Sequence, residues 1–294
     1  MLTKPFSLFF AFAVSLVFCS CADNKSGSTS TTTSRMTDSS TTGTTMDTAR
    51  AATVKEEPVT YTVNGKTMNG YIAYDENKTG RRPIVLVLPE WWGLTDYPRS
   101  RAKQLAQLGY FAMAVDTYGG GKTAANPQEA QNMATPFYKN PQLTKNTVDA
   151  ALAKAKTYAQ ADSTQTAAIG YCYGGYVVLN AAKLGANLDG VVSFHGSLAG
   201  VAPDKNKLKA KVLVCHGGAD KFESPEEVAA FKKGMDSIGA DYQFKVYPNA
   251  THAFTNPAAT ENGKKFNMPI AYNAAADTAS WNDMKAFFAG LFKS

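Results

Sequence analysis

The sequence predicts an α/β fold, a mostly parallel, doubly wound sheet flanked by helices on both faces. Three observations predict it. Continuous apolar runs such as Ile84-Val85-Leu86-Val87-Leu88 fit strands covered on both sides. Helically spaced runs alternate with these strands along most of the chain, as right-handed βαβ units require. In the middle, Gly170-Tyr171-Cys172-Tyr173-Gly174-Gly175 sits between a strand-like run, Thr166-Ala167-Ala168-Ile169, and a helix-compatible run beginning at Tyr176. Strand, tight Gly-x-nucleophile-x-Gly turn and helix together form a nucleophile elbow, here with Cys in the usual Ser position. The turn is so sharp that side chains at Gly170 and Gly174 would collide with neighbouring backbone.

The elements follow in order. Tyr61-Thr62-Val63, the Asn64-Gly65 turn and residues 68–74 read as a hairpin, because Asn-Gly accepts the positive φ of a tight type I′ turn. Residues 84–88 form the first central strand. Residues 98–108 have helical spacing and stop at Gly109. Residues 111–115 form a second buried strand. Residues 126–138 and 143–159 are helical, the latter rich in Ala and Lys. After the elbow come strands at Val191-Val192-Ser193-Phe194 and Val212-Leu213-Val214-Cys215. Residues 225–238 form a helix with Ser224 as N-cap and Pro225 at its first position. Residues 242–247 are the last strand, and residues 275–292 an amphipathic closing helix. No internal repeat is visible, and residues 58–294 are expected to form one domain.

The N-terminus reads differently. Lys4 precedes a short apolar stretch over residues 6–18, a length that suits a signal peptide over residues 1–20 better than a membrane span. Ser20-Cys21 resembles a bacterial lipoprotein cleavage site, with Cys21 as the lipid attachment point. Phe18 stands where Leu is usual. Residues 21–57, Ser/Thr-rich for most of their length, cannot bury a core and read as a disordered tether. The expectation is an exported protein, anchored to a membrane only through this lipid; the alternative is a periplasmic or secreted protein cut near the same place.

The net charge of +6 is spread along the 294 residues and forms no basic stripe interleaved with aromatics, which argues against nucleic-acid binding. Three dispersed histidines and no paired cysteines argue against a metal site. Of the four cysteines, Cys19 and Cys21 belong to processing. Cys215 lies in an apolar strand and reads as a small buried hydrophobe rather than a disulfide partner of Cys172.

In such sheets function collects in the loops after the strand C-termini. Those loops carry Pro89-Glu90-Trp91-Trp92-Gly93, Asp116-Thr117-Tyr118, the elbow, His195-Gly196-Ser197, His216-Gly217-Gly218-Ala219-Asp220 and Ala250-Thr251-His252-Ala253-Phe254. A nucleophile needs a base and the base an orienting acid, and the chain order nucleophile, acid, His selects Cys172, Asp220 and His252. The Tyr173 amide at the helix N-terminus is the expected first oxyanion donor and the Trp91 amide the second. His195 and His216 read as pocket-wall or structural residues. Trp91 and Trp92 are expected at the rim of the pocket.

On these motifs the chain resembles the dienelactone hydrolases, the branch of the α/β-hydrolase superfamily that uses Cys-His-Asp. The resemblance covers about residues 59–292 and rests on the elbow, Pro89-Glu90-Trp91-Trp92-Gly93, His216-Gly217-Gly218-Ala219-Asp220 and Ala250-Thr251-His252-Ala253-Phe254. It implies hydrolysis of a small ester or lactone through a thioester, without cofactor. It further implies that Glu90 contacts the thiol and gates its ionisation. The dienelactone enzyme holds its substrate carboxylate with two arginines. Here Tyr118-Gly119-Gly120-Gly121 and Thr255-Asn256-Pro257 occupy those places, with no Arg. Tyr118, Lys122 and Asn256 are therefore expected to recognise something less acidic, and Trp92 with Trp91 a flat, apolar or sugar-like group. The same residues would also serve a non-catalytic ligand-binding protein or an acyl transferase, and the oligomeric state is left open.

Overall fold

The computed structural model describes residues 51–292. The expected signal peptide, the lipid-attachment residue Cys21 and most of the expected tether lie outside the described residues. The chain runs β1 (Val54–Val63), β2 (Lys66–Asp75), β3 (Arg82–Leu88), α1 (Asp96–Gln107), β4 (Phe111–Ala114), α2 (Pro127–Lys139) and α3 (Gln142–Ala155). It continues through β5 (Ala161–Tyr171), α4 (Tyr173–Lys183), β6 (Gly190–Phe194), β7 (Lys211–Gly217) and α5 (Pro225–Ser237). It closes with β8 (Tyr242–Tyr247), α6 (Ala259–Phe266) and α7 (Ala274–Leu291). The strands form one sheet in the order β1-β2-β4-β3-β5-β6-β7-β8. Only the β1–β2 and β2–β4 pairs are antiparallel; all others are parallel.

Alternation along the central strands explains the two-sided core. Ile84, Leu86 and Leu88 of β3 face one layer, with Val148 and Ala151 of α3, Val177 and Val178 of α4 and Phe231 of α5. Val85 and Val87 face the other, with Leu105 and Ala106 of α1 and Met284, Phe287 and Phe288 of α7. Successive strand side chains point to opposite faces, so an unbroken apolar run is what a strand covered on both sides requires.

Three expectations are extended or corrected. The first strand starts at Val54, inside the segment expected to be tether, and pairs along its length with β2. Both turn residues between these strands have positive φ, Asn64 at 48° and Gly65 at 78°, as a type I′ hairpin requires. Strand β5 begins at Ala161, well before Thr166. Its register against β3 breaks between Pro83 and Ile84, where residues 163–165 are looped out. Pro83 has no N–H to give the ladder, and the looped-out residues are polar, so neither pattern read as strand. Helix α6 was not expected; no element is read between residues 247 and 275. In the fold a Cβ at Gly263 would lie 2.4 Å from the Ile270 carbonyl, so glycine is what lets the following chain close over the helix. Helix α5 carries a full capping box between Ser224 and Glu227.

Candidate active site

The sharp turn between β5 and α4 lifts Cys172 out of the sheet with φ 53° and ψ −117°. Positive φ is unusual for a residue with a Cβ and persists only where surroundings enforce it. Here the glycines on either side do so: a Cβ at Gly170 would lie 2.1 Å from the Gly174 carbonyl oxygen, and one at Gly174 2.3 Å from the Leu88 carbonyl oxygen. The Cys172 amide is pinned as well, donating to the Phe194 carbonyl at 3.0 Å and to His195 Nδ1 at 3.1 Å.

Loops from three strand ends meet at the sulfur. His252 Nε2 lies 3.0 Å from Cys172 Sγ, and His252 Nδ1 lies 2.8 Å from Asp220 Oδ2. The other Asp220 oxygen accepts the Phe222 amide at 2.9 Å. The three residues picked from chain order are thus brought into one hydrogen-bonded line. Burial works against a charged imidazole, but the facing Cys172 sulfur and the Asp220 carboxylate outweigh it and hold His252 well above its ordinary pKa. Cys172 and Cys215 are both free; Cys215 is buried in β7 and accepts from the Tyr247 hydroxyl at 3.4 Å.

His195 does more than line a wall. Since Nδ1 accepts from the Cys172 amide, Nε2 carries the proton and donates to Thr255 Oγ1 at 2.7 Å. Thr255 pairs in turn with the Tyr97 hydroxyl at 2.6 Å, and its carbonyl accepts from Arg101 at 2.8 Å. Burial, then the neighbouring His252, keeps His195 neutral by pushing its pKa well below the ordinary value. A positive φ of 41° at an apparently spare histidine was not legible from sequence. His195→Leu is expected to cost about 1–3 kcal/mol by leaving the Thr255 hydroxyl without its donor and removing one acceptor at Cys172. It is also expected to lower kcat, with His195→Gln retaining more of it; urea unfolding and turnover measure the two effects.

The carboxyl of Glu90 is buried and accepts from Asn256 Nδ2 at 2.6 Å. It makes no hydrogen bond to Cys172, whose sulfur faces His252 instead. The contact with the thiol expected from the resemblance is therefore not a hydrogen bond in this conformation. Asn256, expected to bind substrate, is occupied with Glu90, and Tyr118, also expected there, stands outside this pocket. The Tyr118 hydroxyl donates to the Trp91 carbonyl at 3.0 Å, and its ring stacks on Tyr173. It thus contacts both Trp91 and Tyr173, which line the pocket and whose amides have no backbone acceptor among the described residues.

Burial raises Glu90 to about 7, against the pull of Asn256, His252 and Arg101. Between the ordinary 4.5 and about 7 the folded protein keeps a proton that the unfolded chain has released. Stability should therefore fall as pH rises through that window, by about 3 kcal/mol in full. Glu90→Gln is expected to flatten this slope, read from urea midpoints on both sides of the window.

The pocket over Cys172 has a volume of about 410 Å³. Trp91 and Trp92 meet edge to face at its rim, and Phe266 of α6 stacks on Trp92. Tyr138, Phe222, Met268 and Ile270 complete the apolar wall. None of these four was anticipated; they come from a helix and loops whose sequence carries no periodic or motif signal for a pocket. The charged side chains lining the pocket beside His252 are Glu90 and Glu223, and no Lys or Arg lines it among the described residues.

This geometry has relatives. The profile of the dienelactone hydrolase family matches residues 68–292. Protein usf of Aquifex pyrophilus is 30% identical over 239 residues, 78% of this chain and 96% of that protein. A protein of Aquifex aeolicus named "Putative carboxymethylenebutenolidase" is 30% identical over 204 residues, 67% of this chain and 86% of its own. Among solved structures, a dienelactone hydrolase-like promiscuous phosphotriesterase from metagenomic libraries superposes with a TM-score of 0.77 at 33% identity, covering 82% of this chain and 99% of that one. The elbow, the aligned Cys172, His252 and Asp220, and these matches together place the chain in the dienelactone hydrolase family, a family of hydrolases built on the α/β-hydrolase fold.

Proposed function

We propose that the protein hydrolyses a small, uncharged ester or lactone through a thioester on Cys172. The observation that carries this reading is the continuous line Cys172 Sγ, His252, Asp220 at 3.0 and 2.8 Å under an aromatic-walled pocket. The sulfur attacks the carbonyl carbon with the proton held on His252 Nε2. The oxyanion of the tetrahedral intermediate is held by the Tyr173 and Trp91 amides, which the Tyr118 ring and hydroxyl keep in place. Collapse expels the leaving alkoxide, which takes the proton from His252, and leaves the acyl group on sulfur. His252 then takes a proton from water, whose oxygen attacks the thioester; collapse of the second intermediate frees the sulfur with that proton still held on His252 Nε2. Asp220 keeps the imidazole in the tautomer this cycle needs.

The absence of a lining Lys or Arg supports an uncharged substrate. A carboxylate entering this pocket would meet Glu90 and Glu223 with no lining Lys or Arg to pair with. Neutral p-nitrophenyl esters are expected to exceed matched esters bearing a distal carboxylate in kcat/KM. Gln131, which is exposed on α2 and lines the pocket, offers the complementary test. Gln131→Arg should raise kcat/KM for the anionic ester by roughly threefold, in line with about 0.2–1 kcal/mol for an exposed ion pair, and leave the neutral one unchanged. A preference for the anionic ester in the unsubstituted protein would contradict the substrate class.

A further inference from the structure

We propose a second binding site, for an amphipathic carboxylate, in the cavity beneath the β1–β2 hairpin on the far side of Tyr118 from Cys172. This cavity has a volume of about 410 Å³, the same as the pocket over Cys172. Both fall within the about 300–1,000 Å³ of small-molecule sites. Their chemistry is opposite. The cavity is walled by Val63, Met68, Met133, Phe137 and Leu143, and its charged lining residues are Lys66 and Lys122. Neither lysine forms a salt bridge to a carboxylate among the described residues.

Thr117 also lines the cavity at 2% exposure, with its hydroxyl beside that of Tyr173. Two ammonium groups at the mouth and an apolar body match a carboxylate carrying a hydrocarbon tail. The two methionines give the wall an adaptable surface for such a tail. Two lysines here, and Glu90 and Glu223 with no Lys or Arg at the other pocket, separate the ligands the two sites would take. Tyr118 borders the cavity while stacking on Tyr173, with ring centroids 5.6 Å apart. An occupant would therefore touch the residue that braces the oxyanion amides.

Titration calorimetry with decanoate, below its micelle concentration, tests the site on full-length protein whose Cys172 has been alkylated with iodoacetamide. Saturable one-to-one binding is expected. Lys66→Ala with Lys122→Ala should weaken it by at least about threefold, as the loss of two exposed ionic contacts implies. Decanol should bind more weakly than decanoate. Both lysines are exposed, so the double variant is expected to fold normally. Loss of binding on alkylation would place decanoate over Cys172 and overturn the proposal. So would affinity unchanged in the double variant, or no binding at all. Because the sulfur is capped throughout and decanoate is not an ester, the result does not depend on whether the protein hydrolyses esters.

Discussion

Cys172→Ala is expected to lower ester turnover by about 10³-fold or more while the protein stays folded. The sulfur lies at the pocket floor, partly exposed, and is the group His252 faces. Its removal takes away the bond-forming atom and little packing, so the unfolding midpoint should move by no more than about 1 kcal/mol. His252→Ala is expected to fall by a comparable factor, and the double variant to be no worse than either alone. Residues that act as a unit show that non-additivity. Steady-state rates with circular dichroism on each variant separate chemistry from folding. Equal multiplicative losses in the double variant would mean that the two side chains act independently, against the hydrogen-bonded line.

Gly174→Ala carries the largest expected effect on stability. Its Cβ would sit 2.3 Å from the Leu88 carbonyl oxygen and 2.6 Å from that of Pro89. These are backbone atoms at the end of the central strand β3, so the contact is relieved only by moving α4 away from the sheet. A loss above about 3 kcal/mol, or failure to fold, is expected. Gly290→Ala provides the contrast. Gly290 lies inside α7 with nothing within 4 Å of its Cβ position, so alanine there should stabilise by roughly 0.5–1 kcal/mol. Urea unfolding of the pair reads both signs. A Gly174→Ala protein as stable as its parent would show that the elbow is not sterically closed.

The elbow and the loops carrying Asp220 and His252 were legible because their constraints are local. A glycine that must clear backbone, and a residue just past a buried strand, leave their mark in a few consecutive letters. Helix α6 and the early part of β5 were not legible, because a tertiary contact at Gly263 and a looped-out polar segment after Asp162 override local pattern. Side-chain partnerships across the sheet were the least legible. Asn256 was expected to meet substrate and instead holds Glu90; Tyr118 was expected in the pocket and instead supports its floor. His195 is the clearest case, since the amide of Cys172 reaches its ring only through the pairing of β5 with β6.

The central claim is that the acyl group passes through Cys172. The most direct measurement is acid quench of the protein during turnover of p-nitrophenyl acetate, followed by intact mass and peptide mapping. The proposed mechanism predicts one acetyl group on the peptide containing Cys172, removed by hydroxylamine and absent from Cys172→Ala. Undiminished turnover in Cys172→Ala, with no acetyl on that peptide in the parent protein, would contradict it.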